Sequence, residues 1–204
     1  MLDINSYIQK LLFFDHTLLK HIINEEEKRV GVNPSIGLEA GKLLSFLCYT
    51  LNAKRVLEFG TCLGFSSICI SNVLKKTGGK LISVEKSKEM YQETKKNLDS
   101  AGVLEMVELI NDSAENAVMY LKEPFDIILQ DSSKQAYITT LERCINLLRT
   151  GGVLVADDTL FKPMGMPKQM SDPVDEYNQR VFHDNRLYST ILPIGDGITL
   201  SVKL

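Results

Sequence analysis

The chain has 204 residues, 44% hydrophobic and 24% charged, enough for one domain with a substantial core. A net charge of −3 gives no global pull toward nucleic acid, although a local basic face stays open. No basic N-terminal segment precedes an apolar stretch, and no apolar run approaches the length of a membrane span. The four cysteines (Cys48, Cys62, Cys69, Cys144) show no CxxC spacing and lie in apolar or helical stretches. Buried free thiols in a reducing, cytoplasmic setting are the expectation.

Residues 3–29 carry apolar positions at helical spacing, Leu11, Leu12, Leu18, Leu19, Ile22 and Ile23 among them, which predicts one or two N-terminal helices ended by Gly31-Val-Asn-Pro34. A helix follows over Leu38–Leu51. A regular alternation then begins: strand 55–59, helix 66–75, strand 80–84, helix 88–101, strand 107–110, helix 114–121, strand 126–129, helix 135–148 and strand 153–156. Five such βα units predict a parallel sheet covered by helices on both faces. The tail departs from it, with a helix near Val174–His183 and two strands, 186–192 and 198–202, joined by Gly195-Asp-Gly197. These predict an antiparallel hairpin at the end of the sheet.

Chemistry gathers where the strands run out. Asp131 follows Ile127-Ile128-Leu129, and Asp157 and Asp158 follow Val153-Leu-Val-Ala156. Carboxylates just past buried parallel strands lie at the edge where open α/β folds bind ligands. Three of them repel one another unless a hard cation such as Mg²⁺ joins them; two ordinary polar turns are the alternative. Lys134, three residues after Asp131, is either a proton acceptor or a surface lysine starting a helix.

The first βα turn, Glu58-Phe-Gly-Thr-Cys-Leu-Gly64-Phe-Ser66, spaces Gly60 and Gly64 four apart and so is not the GxGxxG fingerprint. Glu85 ends the second strand, 27 positions after Glu58, where an acid can accept from both ribose hydroxyls. Together they read as a nucleoside site, or as two helix caps. Gly60-Thr-Cys62-Leu-Gly64 also matches a nucleophile turn with cysteine in place of serine. A cysteine hydrolase built on it would have to use His183, since His16 and His21 lie on an N-terminal helix. Residues 160–173 hold three methionines, three prolines and a glycine, as a substrate lid or a subunit-contact loop would.

In order along the chain, Val56–Ser66, Asp126–Lys134 with Tyr137, Gly151–Phe161 and Leu192–Gly197 resemble the metal-dependent O-methyltransferases of the caffeoyl-CoA and catechol type. The resemblance runs from about Ile36 to the C-terminus. It implies a Rossmann-like methyltransferase fold, a mostly parallel seven-stranded sheet with an antiparallel C-terminal hairpin. The whole chain, 1–204, is expected to be a single methyltransferase domain, with 1–35 a helical cap and 36–204 the core. The implied methyl donor is S-adenosylmethionine. Glu58, Gly60, Thr61, Gly64 and Ser66 would surround its methionine part, Glu85 its ribose, Ser113 and Ala114 its adenine; Ile36 and Asp131 would also line it. Asp131, Asp157 and Asp158 match the metal ligands, for Mg²⁺ with Ca²⁺ or Mn²⁺ as alternatives, and Asp131 and Lys134 the catalytic pair. The family usually has asparagine at the place of Asp158, a second acid at Ser133 and often tryptophan at Phe161. The expected acceptor is a small catechol-like aromatic, with 5-hydroxyuridine in tRNA as the alternative, contacted by Lys75, Lys76, Lys80, Lys86, Lys88, Lys95 and Lys96. The apolar N-terminal stripes lead to the expectation of a homodimer.

Overall fold

The computed structural model describes residues 4–12, 17–29, 34–122 and 124–204; His16 and residues 31–33 of the predicted helix stop lie outside them. Seven strands form one sheet: β1 Arg55–Phe59, β2 Lys80–Val84, β3 Val107–Ile110, β4 Phe125–Gln130, β5 Leu148–Ala156, β6 Leu187–Leu192 and β7 Ile198–Lys203. The order is β3-β2-β1-β4-β5-β7-β6. The pairs β3–β2, β2–β1, β1–β4 and β4–β5 are parallel, and β7 runs antiparallel to both β5 and β6. The predicted fold class is therefore the observed one.

Eight helices are described: α1 Ile4–Leu11, α2 Thr17–Lys28, α3 Gly37–Thr50, α4 Phe65–Thr77, α5 Lys88–Ser100, α6 Ala114–Tyr120, α7 Lys134–Leu147 and α8 Lys168–His183. Among these, no helix is long and apolar enough to cross a membrane. The central strands are buried on both faces, so their side chains alternate between two cores. Val56, Ile127, Leu129, Val153 and Val155 pack with α2, α3 and α4. Leu57, Phe59, Ile128, Leu154 and Ala156 pack with α6, α7 and α8. Each fully buried aliphatic or aromatic side chain contributes about 1.5–3 kcal/mol to this double layer.

Two boundaries differ from the sequence reading by more than two residues. β5 starts at Leu148 rather than Val153, because Leu148 pairs with Phe125 before the register shifts ahead of Ile127–Val153. That irregularity puts Phe125 in the second core and Ile127 in the first, against strict alternation. α8 starts at Lys168, six residues early, and carries Pro173 inside it. Proline costs a helix one donor bond, and the amphipathic face of Val174, Tyr177 and Val181, all buried, outweighs it. A short 3-10 turn, Leu104–Met106, was not anticipated.

Candidate active site

The strand order reverses between β1 and β4, the switch point where such sheets open a crevice at their carboxyl edge. Gly60 follows β1 and Asp131 follows β4, and the two strands bring them into contact. Gly60 has φ 92, and a Cβ there would lie 2.0 Å from the Asp131 carbonyl oxygen. Only glycine permits this approach. Gly197, φ 98, is the second such position, since its Cβ would meet Leu160 Cγ at 2.4 Å.

The crevice opens into a cavity of about 680 Å³ lined by Ile36, Gly60, Thr61, Ser66, Glu85, Ala114, Asp131, Lys134, Asp157 and Asp158, among others. Most of the sequence-derived site residues thus share one wall system. At its acidic end, one oxygen from each of Asp131, Asp157 and Asp158 lies within 4.8 Å of the other two. Lys134 Nζ stands 2.7 Å from Asp158 Oδ2 and 3.9 Å from Asp131 Oδ1. It also donates to the Tyr137 hydroxyl at 2.8 Å, which donates in turn to the Asp157 carbonyl at 3.2 Å. Burial and the surrounding carboxylates push the Tyr137 phenol well above its usual range, so it stays a neutral link. The ammonium lies 4.6 Å from the Tyr137 ring centroid and 5.6 Å from that of Phe161, a cation–π arrangement.

Burial, then the facing Asp157 and Asp158 carboxylates, push Asp131 far above the carboxylate range against the pull of Lys134. Burial and Asp158 push Asp157 up to about 7. The folded, metal-free site therefore holds a proton that the unfolded chain has released, and its stability contribution is lost as pH rises from about 3.8 through about 7. Melting temperature without metal is expected to fall between about pH 5 and pH 8, and less steeply in Asp157→Asn. A wild-type melting temperature that climbs over that window contradicts the charge assignment.

Three residues expected on the cofactor side lie off the main cavity. Glu58 does not line the cavity; it is fully buried beneath the glycine-rich turn. Its Oε2 accepts from the Ser67 and Ser83 hydroxyls, because a buried carboxylate needs donors. Burial still pushes its carboxyl up, against the hydroxyls of Ser66, Ser67 and Ser83. Gly64 is the left-handed cap residue before α4, packed on Thr94 rather than facing the cavity. Ser113 caps α6 by accepting from Asn116 N at 3.2 Å and lines a shallower cavity of about 490 Å³ that shares Lys86, Asp112 and Glu115 with the main one. Glu85 is busier than foreseen. Its Oε2 accepts from Thr61 N, Thr61 Oγ1 and Cys62 N at 3.1–3.2 Å, and its Oε1 from Ser87 N at 2.7 Å.

Sequence reasoning missed Glu39, Met90 and Asp196 as wall residues. Asp196 lay in a segment read as a hairpin turn and as part of the family resemblance, without a site role, and Met90 in an ordinary helix start. Met166 and Met170 of the methionine-rich segment do face the cavity.

A family model described as O-methyltransferase matches residues 9–204. The chain belongs to the O-methyltransferase family. It is 27% identical to a caffeoyl-CoA O-methyltransferase of Populus kitakamiensis, covering 93% of this chain and 88% of the relative. It is also 27% identical to a catechol O-methyltransferase of Niastella koreensis, covering 98% and 96%. Among solved structures, an O-methyltransferase from Bacillus cereus in complex with SAH superposes with a TM-score of 0.86 at 21% identity, over 98% of this chain and 97% of that one. TomG from Streptomyces achromogenes, in complex with SAM, gives 0.86 at 23%, over 98% and 95%. These likenesses establish the fold. The cysteine-hydrolase alternative finds no support: burial pushes the Cys62 thiol of this methyltransferase up to about 12, and no described histidine lines the cavity. His183 instead contacts the Gln179 carbonyl on its own helix.

Proposed function

We propose that this O-methyltransferase moves the methyl group of S-adenosylmethionine onto a hydroxyl of a small vicinal-dihydroxy aromatic, with a divalent cation held by Asp131, Asp157 and Asp158. The observation that carries the reading is the convergence of three carboxylate oxygens within 4.8 Å beside Lys134. Three carboxylates against one ammonium leave a formal double negative charge, which fits a divalent, oxygen-seeking ion such as Mg²⁺, with Mn²⁺ or Ca²⁺ as substitutes. The donor fits the other end. Gly60, Thr61 and Ser66 of the turn line the cavity there, a polar wall for the amino-acid part of the donor. Glu85 Oε1 carries a single described donor, which leaves capacity for a ribose hydroxyl.

When bound, the cation would make an acceptor hydroxyl more acidic. The chain's own residues do the rest. Lys134 Nζ, once it has given its own proton to solvent, receives the hydroxyl proton as the neutral amine. Phe161, Met166 and Met170 wall the acceptor end, and thioethers adapt well to flat apolar rings. Holding the two reactants in line contributes several kcal/mol, about 7 or more in well-oriented cases. We assign residues 36–204 as the catalytic core, with the described helices α1 and α2 of segment 1–35 as its cap. Exposed Tyr7, Leu11, Phe46 and Tyr49 on α1 and α3 support the homodimer reading.

Removing the Glu85 carboxylate is expected to weaken cofactor binding about ten- to hundredfold, the loss of a charged acceptor. Glu85→Gln, which keeps one acceptor for the Thr61 and Cys62 amides, should fall between wild type and Glu85→Ala. Calorimetric titration with S-adenosylhomocysteine measures it; wild-type affinity in Glu85→Ala ends the ribose assignment.

The acceptor is tested by a panel of catechols and hydroxyuridine-containing tRNA with labelled S-adenosylmethionine and Mg²⁺. A small acceptor is favoured because eight carboxylates and two lysines line the cavity, a poor match to a polyanion. Lys75, Lys76, Lys80, Lys86, Lys88, Lys95 and Lys96 are exposed, yet Lys75 and Lys80 donate to main-chain carbonyls and Lys76 lies over Tyr49. Catechol turnover should change little with salt, whereas phosphate contacts make binding fall steeply. Salt-sensitive tRNA methylation with an inactive catechol panel reverses the choice.

A further inference from the structure

Asp158 has φ 60, a left-handed conformation that costs a non-glycine residue of order 1 kcal/mol or more and persists only where neighbours enforce it. The enforcement falls on the next residue. Thr159 N donates to the Gly197 carbonyl at 2.9 Å, and its carbonyl accepts from Asn178 Nδ2 at 2.8 Å. The Thr159 hydroxyl has no partner among the described residues, so hydrogen bonding holds this residue through its main chain. Asn178 is itself oriented: its Oδ1 accepts from the Thr199 hydroxyl at 2.8 Å. Since the Thr159 carbonyl can only accept, the amide has one way round. Thr199 is fully buried and pairs with Ala156, the last residue of β5 before the acids.

We propose that Asn178 is a positioning residue for the metal-binding turn. Through the Thr159 carbonyl it ties α8 and β7 to the left-handed backbone of Asp158, which aims that carboxylate at Asp131, Asp157 and Lys134. The inference rests on the metal reading above. Without the clamp, Asp158 relaxes toward an ordinary backbone conformation and its oxygen leaves the trio, while the glycine-rich turn on β1 is untouched. Metal and cofactor affinities should therefore separate.

The test uses the full chain and Mn²⁺ alone, with bound metal counted by the loss of the free-ion paramagnetic resonance signal and S-adenosylhomocysteine affinity measured without metal. Asn178→Ala should weaken Mn²⁺ binding by about tenfold or more, the range for residues that orient ligands, and leave S-adenosylhomocysteine affinity within about twofold. Thr199→Val, which removes the orienting hydroxyl, should weaken Mn²⁺ binding in the same direction, and Thr199→Ser should restore it. If Asn178→Ala does not fold, the Val/Ser pair decides. Wild-type Mn²⁺ affinity in the variants, or equal losses of metal and S-adenosylhomocysteine, overturns the clamp. A wild-type chain that takes up no Mn²⁺ overturns the metal reading, and the clamp with it.

Discussion

Asp131→Asn is expected to abolish most divalent-metal binding, with a loss of at least about a hundredfold, and to raise the stability of the metal-free protein. Loss of a direct ligand should exceed the ten- to hundredfold typical of a supporting residue. The second half of the expectation separates a metal site from a merely structural acid. Asp131 is held well above its usual pKa by burial and by Asp157, which means its charge is a burden when no cation is present. An amide of the same shape removes the repulsion and keeps the β4 end in place. Calorimetric Mn²⁺ titration and thermal melts of the stripped protein read the two halves. A variant that binds metal as wild type does, or one that is destabilised without metal, contradicts the assignment.

Lys134→Met should lower kcat by about two to four orders of magnitude, the usual contribution of a positioned proton acceptor. The loss should shrink as pH approaches the acceptor's own ionisation, near 10 for a free phenol, because the hydroxyl then needs no base. Metal affinity should not fall, since Lys134 Nζ pairs with Asp158 at 2.7 Å and competes with a cation for that carboxylate. Lys134→Arg preserves the charge but not the proton acceptor, so it should stay slow. A kcat within about threefold of wild type at neutral pH removes Lys134 from the proton path.

Much of this was legible in the chain. The apolar strands ending in Asp131 and in Asp157–Asp158 revealed the sheet edge, because buried parallel strands read as near-continuous apolar runs; the fold then gathers the three acids. The Gly60 turn was legible for the same reason. What was not legible depends on distance in space. Glu58 reads as an acid beside the donor, and the fold adds hydroxyls from α4 and β2 that bind its buried carboxylate under the turn. Glu85 reads as a ribose acceptor, and the fold adds its grip on Thr61 and Cys62. The sequence reading begins the helix at Val174, just after Pro173, but the packing of Val174, Tyr177 and Val181 supports an α8 that starts at Lys168 and runs through the proline. Asn178 gives no local signal; its meaning arises only where α8 meets β7 and the Asp158 turn.

The central claim is metal-assisted methyl transfer to a vicinal dihydroxy acceptor. It is tested most directly by following label from S-adenosylmethionine to a catechol with enzyme stripped of metal, verified by elemental analysis, and then given Mg²⁺. The account predicts turnover near background in the stripped enzyme and full recovery on adding the ion. Undiminished turnover by enzyme shown to contain no metal would contradict it.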